Sequence, residues 1–492
     1  MIYNSWIFLI LFLPLTLAGW YGLHAAGKSR AARVFMIGMS LWFYGSFQWK
    51  AVIVLLISLA AGYCFSAAME RAEGTARTVI MAAGVVFNLL LLGIFKYPGA
   101  SALTGVSLAM PVGLSFYTFS QISYIVDRAG GEIPHAGLLD YAVYVTWFPK
   151  LAEGPITRYE EFRRQIKGAG AGRINKENML RGFILLVFGM AKKMLLADVL
   201  APAVSFGYQN AYYLDTLSVI LTVSAYAMQL YFDFSGFCDM TLGISRMLGV
   251  DLPLNFNAPY HSTSFSSFWQ RWHMSLTSFF TKYVYIPLGG SRKGSFRTCL
   301  NVMIVFFLSG LWHGNGMTYI LWGVLTGALV LVSRQLRKGK AAGKEGSAGA
   351  DAAPAAGWKT ALLRLRTFYI FCFTLIFFGA VRTDYAFAMV RRLFVPMWPG
   401  FLYRIAQTVE LPETYVLFKA VSLLKPEFTN PLRLALLVLI LIVSAVLVNG
   451  SCAQVKAKNM KLSGRNAVLA GILLVWCLVS MTGVSTYLYF AF

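Results

Sequence analysis

The chain has 492 residues, 58% of them hydrophobic and only 13% charged, with a mean hydropathy of +0.63. That balance excludes an ordinary soluble domain and points to a polytopic membrane protein. The net charge of +23 does not signal nucleic acid, because the basic residues sit in short loops beside apolar spans, the positive-inside pattern.

A helix crosses the hydrocarbon core in about 20 apolar residues. By that measure the clear spans lie near 5–24, 35–48, 50–68, 78–95, 180–200, 214–233, 317–333, 362–381, 432–449 and 466–489. The first begins almost at Met1 without a basic leader, so it reads as a spanning helix rather than a cleaved signal. Lys28, Arg30 and Arg33 follow it, which sets the N-terminus outside and this loop in the cytoplasm. Stretches 106–126, 141–151 and 299–310 are too short or too broken by glycine and proline to span cleanly. Broken backbone survives at membrane depth only where protein or a polar cavity surrounds it.

These features predict an all-α polytopic membrane protein of ten to twelve transmembrane helices, with re-entrant or interfacial helices around a central funnel. Arg334, Arg337, Lys338, Lys340 and Lys344 mark a second cytoplasmic loop, continuing as an Ala/Gly/Ser-rich segment. A core of 1–334, a flexible cytoplasmic linker of 335–358 and C-terminal helices of 359–492 packed on the core are expected. The six cysteines are scattered singly, so neither a metal site nor a disulfide framework is indicated.

Three stretches carry ionisable or polar groups where burial is costly. In Tyr231-Phe232-Asp233-Phe234-Ser235-Gly236-Phe237-Cys238-Asp239, Asp233 and Asp239 follow an apolar span, and a structural ion pair with Arg246 or Arg271 is expected. In Phe268-Trp269-Gln270-Arg271-Trp272-His273, a helix would set Trp269, Trp272 and His273 on one face. The third, Leu311-Trp312-His313-Gly314-Asn315-Gly316, holds an imidazole between glycines inside a lipid-soluble run. An ionisable group at that depth is a functional-site hypothesis by default.

The ordered set Arg271-Trp272-His273, Tyr285-Ile286-Pro287-Leu288-Gly289-Gly290 and Leu311-Trp312-His313-Gly314 resembles the membrane-bound O-acyltransferase family, in its bacterial alginate O-acetylase-like branch. Pro111-Val112-Gly113-Leu114-Ser115-Phe116, Asp233-Phe234-Ser235-Gly236, Asn255-Phe256-Asn257-Ala258-Pro259-Tyr260 and Tyr487-Leu488-Tyr489-Phe490 extend the likeness. The chain departs from the family at Thr281-Lys282, where a basic–acidic pair is usual, and at Thr326, where histidine often precedes glycine.

The resemblance implies a multi-pass protein of the bacterial cell membrane that transfers acyl groups, acetyl above all, to hydroxyls of an extracytoplasmic polysaccharide. It implies His313 as catalytic base and His273 as a catalytic or funnel residue. Trp269, Gln270, Arg271, Trp312 and Asn315 would line the substrate passage. The donor would be a cytoplasmic thioester, acetyl-CoA being the simplest, with no permanently bound cofactor. A hydrolase-fold acetyltransferase outside the membrane would be the partner. D-alanyl transfer to teichoic acid is the rival within the family, and a non-enzymatic transporter the rival outside it.

Overall fold

The computed structural model describes residues 1–97, 110–168, 172–342, 357–396, 399–449 and 463–481. Among them every regular element is helical, as lipid demands of a chain that must satisfy its backbone internally. In chain order the helices are α1 (Ile7–Ala25), α2 (Ser29–Gly45), α3 (Trp49–Ala68) and α4 (Gly74–Lys96). Then come α5 (Leu114–Ala129), the short α6 (Leu138–Thr146) and α7 (Phe148–Leu151), and the surface helix α8 (Tyr159–Lys167). Helix α9 (Lys176–Ala191) passes through a π-turn, Lys192–Ala197, into α10 (Asp198–Gln209). The long α11 (Thr216–Met247) precedes two short pieces, α12 (Phe265–Trp269) and α13 (Met274–Phe280). The chain closes with α14 (Gly294–His313), α15 (Met317–Ala342), α16 (Gly357–Gly379), α17 (Thr383–Arg392), α18 (Pro399–Gln407), α19 (Tyr415–Leu424), α20 (Thr429–Asn449) and α21 (Gly464–Val479).

Eight of these are long and apolar enough to cross a membrane. The protein is a multi-pass membrane protein. The sequence expectation that 299–310 would not span is corrected: it lies inside α14, one unbroken helix of 20 residues. Conversely, the span expected near 35–48 belongs to α2, a 17-residue helix. Of the linker expected over 335–358, residues 335–342 belong to α15 and 357–358 to α16. Residues 343–356 and the aromatic ending 487–490 lie outside the described residues.

Helix α11 is the axis. Nearly all its residues from Ala225 to Met247 are buried, although its composition alone would suit a lipid-facing span. It is buried because α9 lies against it backbone to backbone. A Cβ on Gly182 would meet the carbonyl oxygen of Gly243, and one on Gly189 would meet that of Gly236; the reverse substitutions clash in the same way. Small residues at helix crossings let such packing replace the hydrophobic drive that lipid does not supply.

Charge reinforces this crossing. The π-turn swings Lys192 and Lys193 toward α11, where Lys193 Nζ lies 2.6 Å from Asp233 and 2.8 Å from Asp198. Lys192 Nζ lies 2.6 Å from Asp239. The two carboxylates are therefore in structural ion pairs as expected, with lysines of the π-turn. Arg246 bonds Asp251 through Nε at 3.0 Å.

One group of basic residues lies together at one face of the bundle, called here the basic face. Arg33 pairs with Asp140, Lys167 reaches the same carboxylate at 2.5 Å, and Arg77 donates to the Arg128 carbonyl. On α8, Arg163 and Arg164 hold the Glu160 carboxyl down to about 2 through charge-assisted hydrogen bonds. The turn after α13 belongs here too: Lys282 bridges Asp127 at 2.8 Å and Glu132 at 2.5 Å. The acid missing beside Lys282 in the sequence is thus supplied from the end of α5.

Lys193→Leu should strip Asp233 of its counter-charge at a site only 2% exposed. Breaking one side of a buried pair costs roughly 3–5 kcal/mol, whereas removing both sides is often close to neutral. Thermal melts in detergent should show a large loss for Lys193→Leu and substantial recovery in the Lys193→Leu/Asp233→Leu double variant. Equal melting of wild type and the single variant would contradict this account.

Candidate active site

The chain between α11 and α13 folds back into the bundle with only short helical pieces, a 3-10 turn at Pro259–His261 and α12. Its backbone groups are nonetheless paired: Asn257 N donates to Arg271 O at 3.0 Å and Met274 N to Asn255 O at 2.9 Å. The Asn255 side chain bonds both the Ser275 amide and Cys238 Sγ on α11, while Ser275 Oγ accepts from the Ile156 amide. At the apex is His273, with φ +47°, one of two non-glycine residues of positive φ among those described. A left-handed residue ends any continuous helix. The single face expected for Trp269, Trp272 and His273 therefore does not form: α12 stops at Trp269, and His273 caps the start of α13.

The bend aims His273 inward, where it is 3% exposed. Its ring packs edge-on to Phe234 of α11 at 4.8 Å and lies 6.1 Å from Trp312. His313, the last residue of α14, is 5% exposed. It is walled by Trp312 at 4.7 Å, Trp322 at 5.1 Å and Phe378 at 5.1 Å. Gly310 and Gly323 bring α14 and α15 into backbone contact beside it, which is why the Trp322 ring can reach the imidazole.

Both histidines open onto one cavity of ≈ 260 Å³. On α14 its wall runs from Val302 to His313, about 17 Å at 1.5 Å per residue. The shaft therefore leads from the basic face, where Arg334, Thr281 and Tyr285 line it, to His313. Trp269 and Gln270 line it as expected, together with Thr277, Ser309 and Trp322. The indole N–H groups of Trp269 and Trp322 have no hydrogen-bond partner among the described residues. Such buried donors, one of them on Trp322 against His313, suit a reaction that develops negative charge on an oxygen.

Other expected site residues lie elsewhere. Arg271, Trp312 and Asn315 are not in the shaft wall. Trp312 packs behind His313, against Phe116 at 5.7 Å and Phe119 at 5.6 Å, with Lys96 Nζ 5.6 Å over its ring. Asn315 is exposed in the turn after α14. Asp233 and Asp239 hold lysines. Sequence reading overlooked Ser309, Trp322 and Phe378 at the histidine, and took Arg334 only as a topology marker.

Residues 129–342 match the membrane-bound O-acyltransferase family. The chain is 32% identical over 371 residues to the peptidoglycan O-acetyltransferase of Helicobacter pylori, covering 68% of this chain and 70% of that one. It is 35% identical over 359 residues to the probable alginate O-acetylase AlgI of Pseudomonas aeruginosa, covering 68% and 66%. The chain belongs to the membrane-bound O-acyltransferase family. The teichoic acid D-alanyltransferase of Bacillus subtilis is a more distant match, 26% identical over 276 residues and 54% of this chain. As a membrane-bound O-acyltransferase the protein is an enzyme, which removes the reading as a transporter.

The backbone at His273 yields its own prediction. Asparagine tolerates the left-handed region, whereas a β-branched residue there is strained. His273→Asn should melt near wild type, and His273→Val should lose on the order of 1–2 kcal/mol. Turnover per folded molecule should fall less in His273→Asn than on loss of His313. If the two His273 variants melt alike, the bend does not depend on this residue's conformation.

Proposed function

We propose that this O-acyltransferase accepts an acyl group from a cytoplasmic thioester and passes it, as acetyl, toward hydroxyls of an extracytoplasmic polysaccharide. The observation that carries the proposal is the shaft: His313 at its inner end, Arg334 at the basic face, and an aromatic lining between. Basic residues mark the cytoplasmic side, so the mouth at Arg334 opens where acyl thioesters are made. Arg334 offers a fork for phosphates of acetyl-CoA or a phosphopantetheine arm, and the apolar wall accepts the pantetheine and acyl portions.

The chemistry then follows from the imidazole. A neutral His313 takes the proton of the attacking hydroxyl, whose oxygen adds to the thioester carbonyl. The oxyanion that forms accepts hydrogen bonds from indole donors such as Trp322. Collapse breaks the C–S bond, the imidazolium returns its proton to the thiolate, and an ester and a free thiol remain. His273 positions the Trp312–His313 pair through its contact with Trp312.

The named acetyltransferase relatives support acetyl over D-alanyl transfer, being more similar over more of the chain. A bacterial inner-membrane location and a hydrolase-fold partner outside the membrane, which finishes transfer to the glycan, complete the reading.

His313→Ala in lipid nanodiscs should lower acyl transfer from radiolabelled acetyl-CoA by ~10²–10⁴-fold, the usual cost of a lost general base. Folded yield should not change. Arg334→Glu should raise KM for acetyl-CoA while leaving kcat within a few-fold, as expected when a contact binds donor and transition state equally. Normal transfer by well-folded His313→Ala would overturn the assignment of the base. An unaltered KM in Arg334→Glu would move the donor entrance elsewhere.

A further inference from the structure

A second, larger cavity of ≈ 750 Å³ lies between α11, α16, α18 and α20. It is a slot along the bundle. Thr216 at the start of α11 bonds Leu393 and Val395 after α17, and Arg433 at the start of α20 bonds the Gln407 carbonyl at the end of α18. Both helices therefore start near the end of α16 that carries Gly379 and run back toward the end that carries Arg364. On α20 the slot extends from Leu434 to Val448, about 21 Å. That exceeds one leaflet, roughly half of a ~30 Å hydrocarbon core.

The slot is separate from the catalytic shaft. Tyr260 and Phe368 line the slot, Phe371 lines the shaft, and the three rings pack together, Tyr260 lying 5.4 Å from Phe368 and 6.1 Å from Phe371. Its walls are otherwise mostly aliphatic, with Ser224, Tyr369 and one cation, Arg364, among them. Arg364 stands at the basic end of the slot, and its Nε is buried with no hydrogen-bond partner among the described residues. Its neighbours mark headgroup level: Trp358 is 67% exposed beside Lys359, and Arg366 reaches out to the Thr263 carbonyl. Tryptophan and basic side chains of this kind anchor helices at the membrane–water boundary.

We propose that this slot holds one anionic glycerophospholipid of the cytoplasmic leaflet, its phosphate on Arg364 and one acyl chain along α20. The charge at one end and the apolar length behind it match the two ends of such a molecule. Guanidinium pairs phosphate in a fork, which makes Arg364 a reader of the headgroup and not only a surface charge. The bound lipid fills the gap between α20 and the core, so it acts as a structural ligand of the C-terminal helices rather than as an acyl donor.

The test uses the full chain in detergent, equilibrated with 16:0/18:1 phosphatidylglycerol or phosphatidylcholine and read by native mass spectrometry. Wild type should retain one phosphatidylglycerol, preferred over phosphatidylcholine by roughly tenfold or more, as a charge-assisted hydrogen bond supplies. Arg364→Gln should retain lipid without that preference. Val438→Trp, which fills the slot, should retain neither, while its monodisperse elution shows that it folds. Retention unaffected by Val438→Trp would overturn the proposal, as would equal headgroup preference in wild type and Arg364→Gln. Absence of bound lipid from wild type would also overturn it.

Discussion

The contact of α9 with α11 is the constraint from which the rest follows. Four glycines let the two backbones touch, and two lysines of the π-turn bind the carboxylates that α11 would otherwise bury alone. A helix so enclosed presents side chains to protein on every face. Phe234 can then serve as the floor under His273, Cys238 can anchor Asn255, and Ala227 can hold Tyr260 through its carbonyl. In lipid, where apolar side chains gain nothing by leaving solvent, this mixture of close packing and satisfied polarity is what holds a bundle together.

The bent segment from Asn255 to His273, broken into short turns, exists on those terms. Unpaired backbone in a bilayer costs several kcal/mol per group, so a bend of this kind needs a wall of protein around it. The wall is α11 on one side, α14 to α16 on the other, and the 152–157 turn beneath, tied by the Ile156–Ser275 hydrogen bond. Left-handed backbone at a histidine adds a further local cost. Together these features hold the imidazole of His273 toward the shaft instead of along a helix face.

Much of this was legible in the sequence, for reasons that can be named. Spans such as α3, α4 and α20 announce themselves because length and apolarity are the only requirements for crossing. His313 stood out because an ionisable group between glycines at membrane depth is hard to justify structurally. Helix α14 was misjudged because Asn301, Ser309 and Gly310 dilute its hydropathy, and all three are turned inward. The partners of Asp233 and Asp239 could not be chosen, since pairing across 40 or more positions depends on how α9 crosses α11. The seven-residue spacing of Gly182 with Gly189 and of Gly236 with Gly243 was the available signal. The bend at His273 left no such trace: its position carries neither glycine nor asparagine, the residues that usually betray positive φ. Trp322 became a site residue through the tight crossing of α15 on α14 beside it, and Phe378 only through packing of α16, a helix distant in sequence from His313.

The aromatic collar around His313 has a consequence for the cell's energy supply. A protein that lets a group pass between the two faces of an energised membrane risks becoming a leak for protons and sodium. Trp312, Trp322 and Phe378 close on the imidazole at ring separations near 5 Å, an apolar surround at the inner end of the shaft. A bare ion entering it would shed its hydration shell with little to replace it, a cost that keeps apolar constrictions insulating. An acyl group carries no charge and meets no such barrier. Under the proposed function, such a collar would admit an uncharged acyl group and hold back ions, so that acylation would draw on the thioester bond and not on the membrane potential.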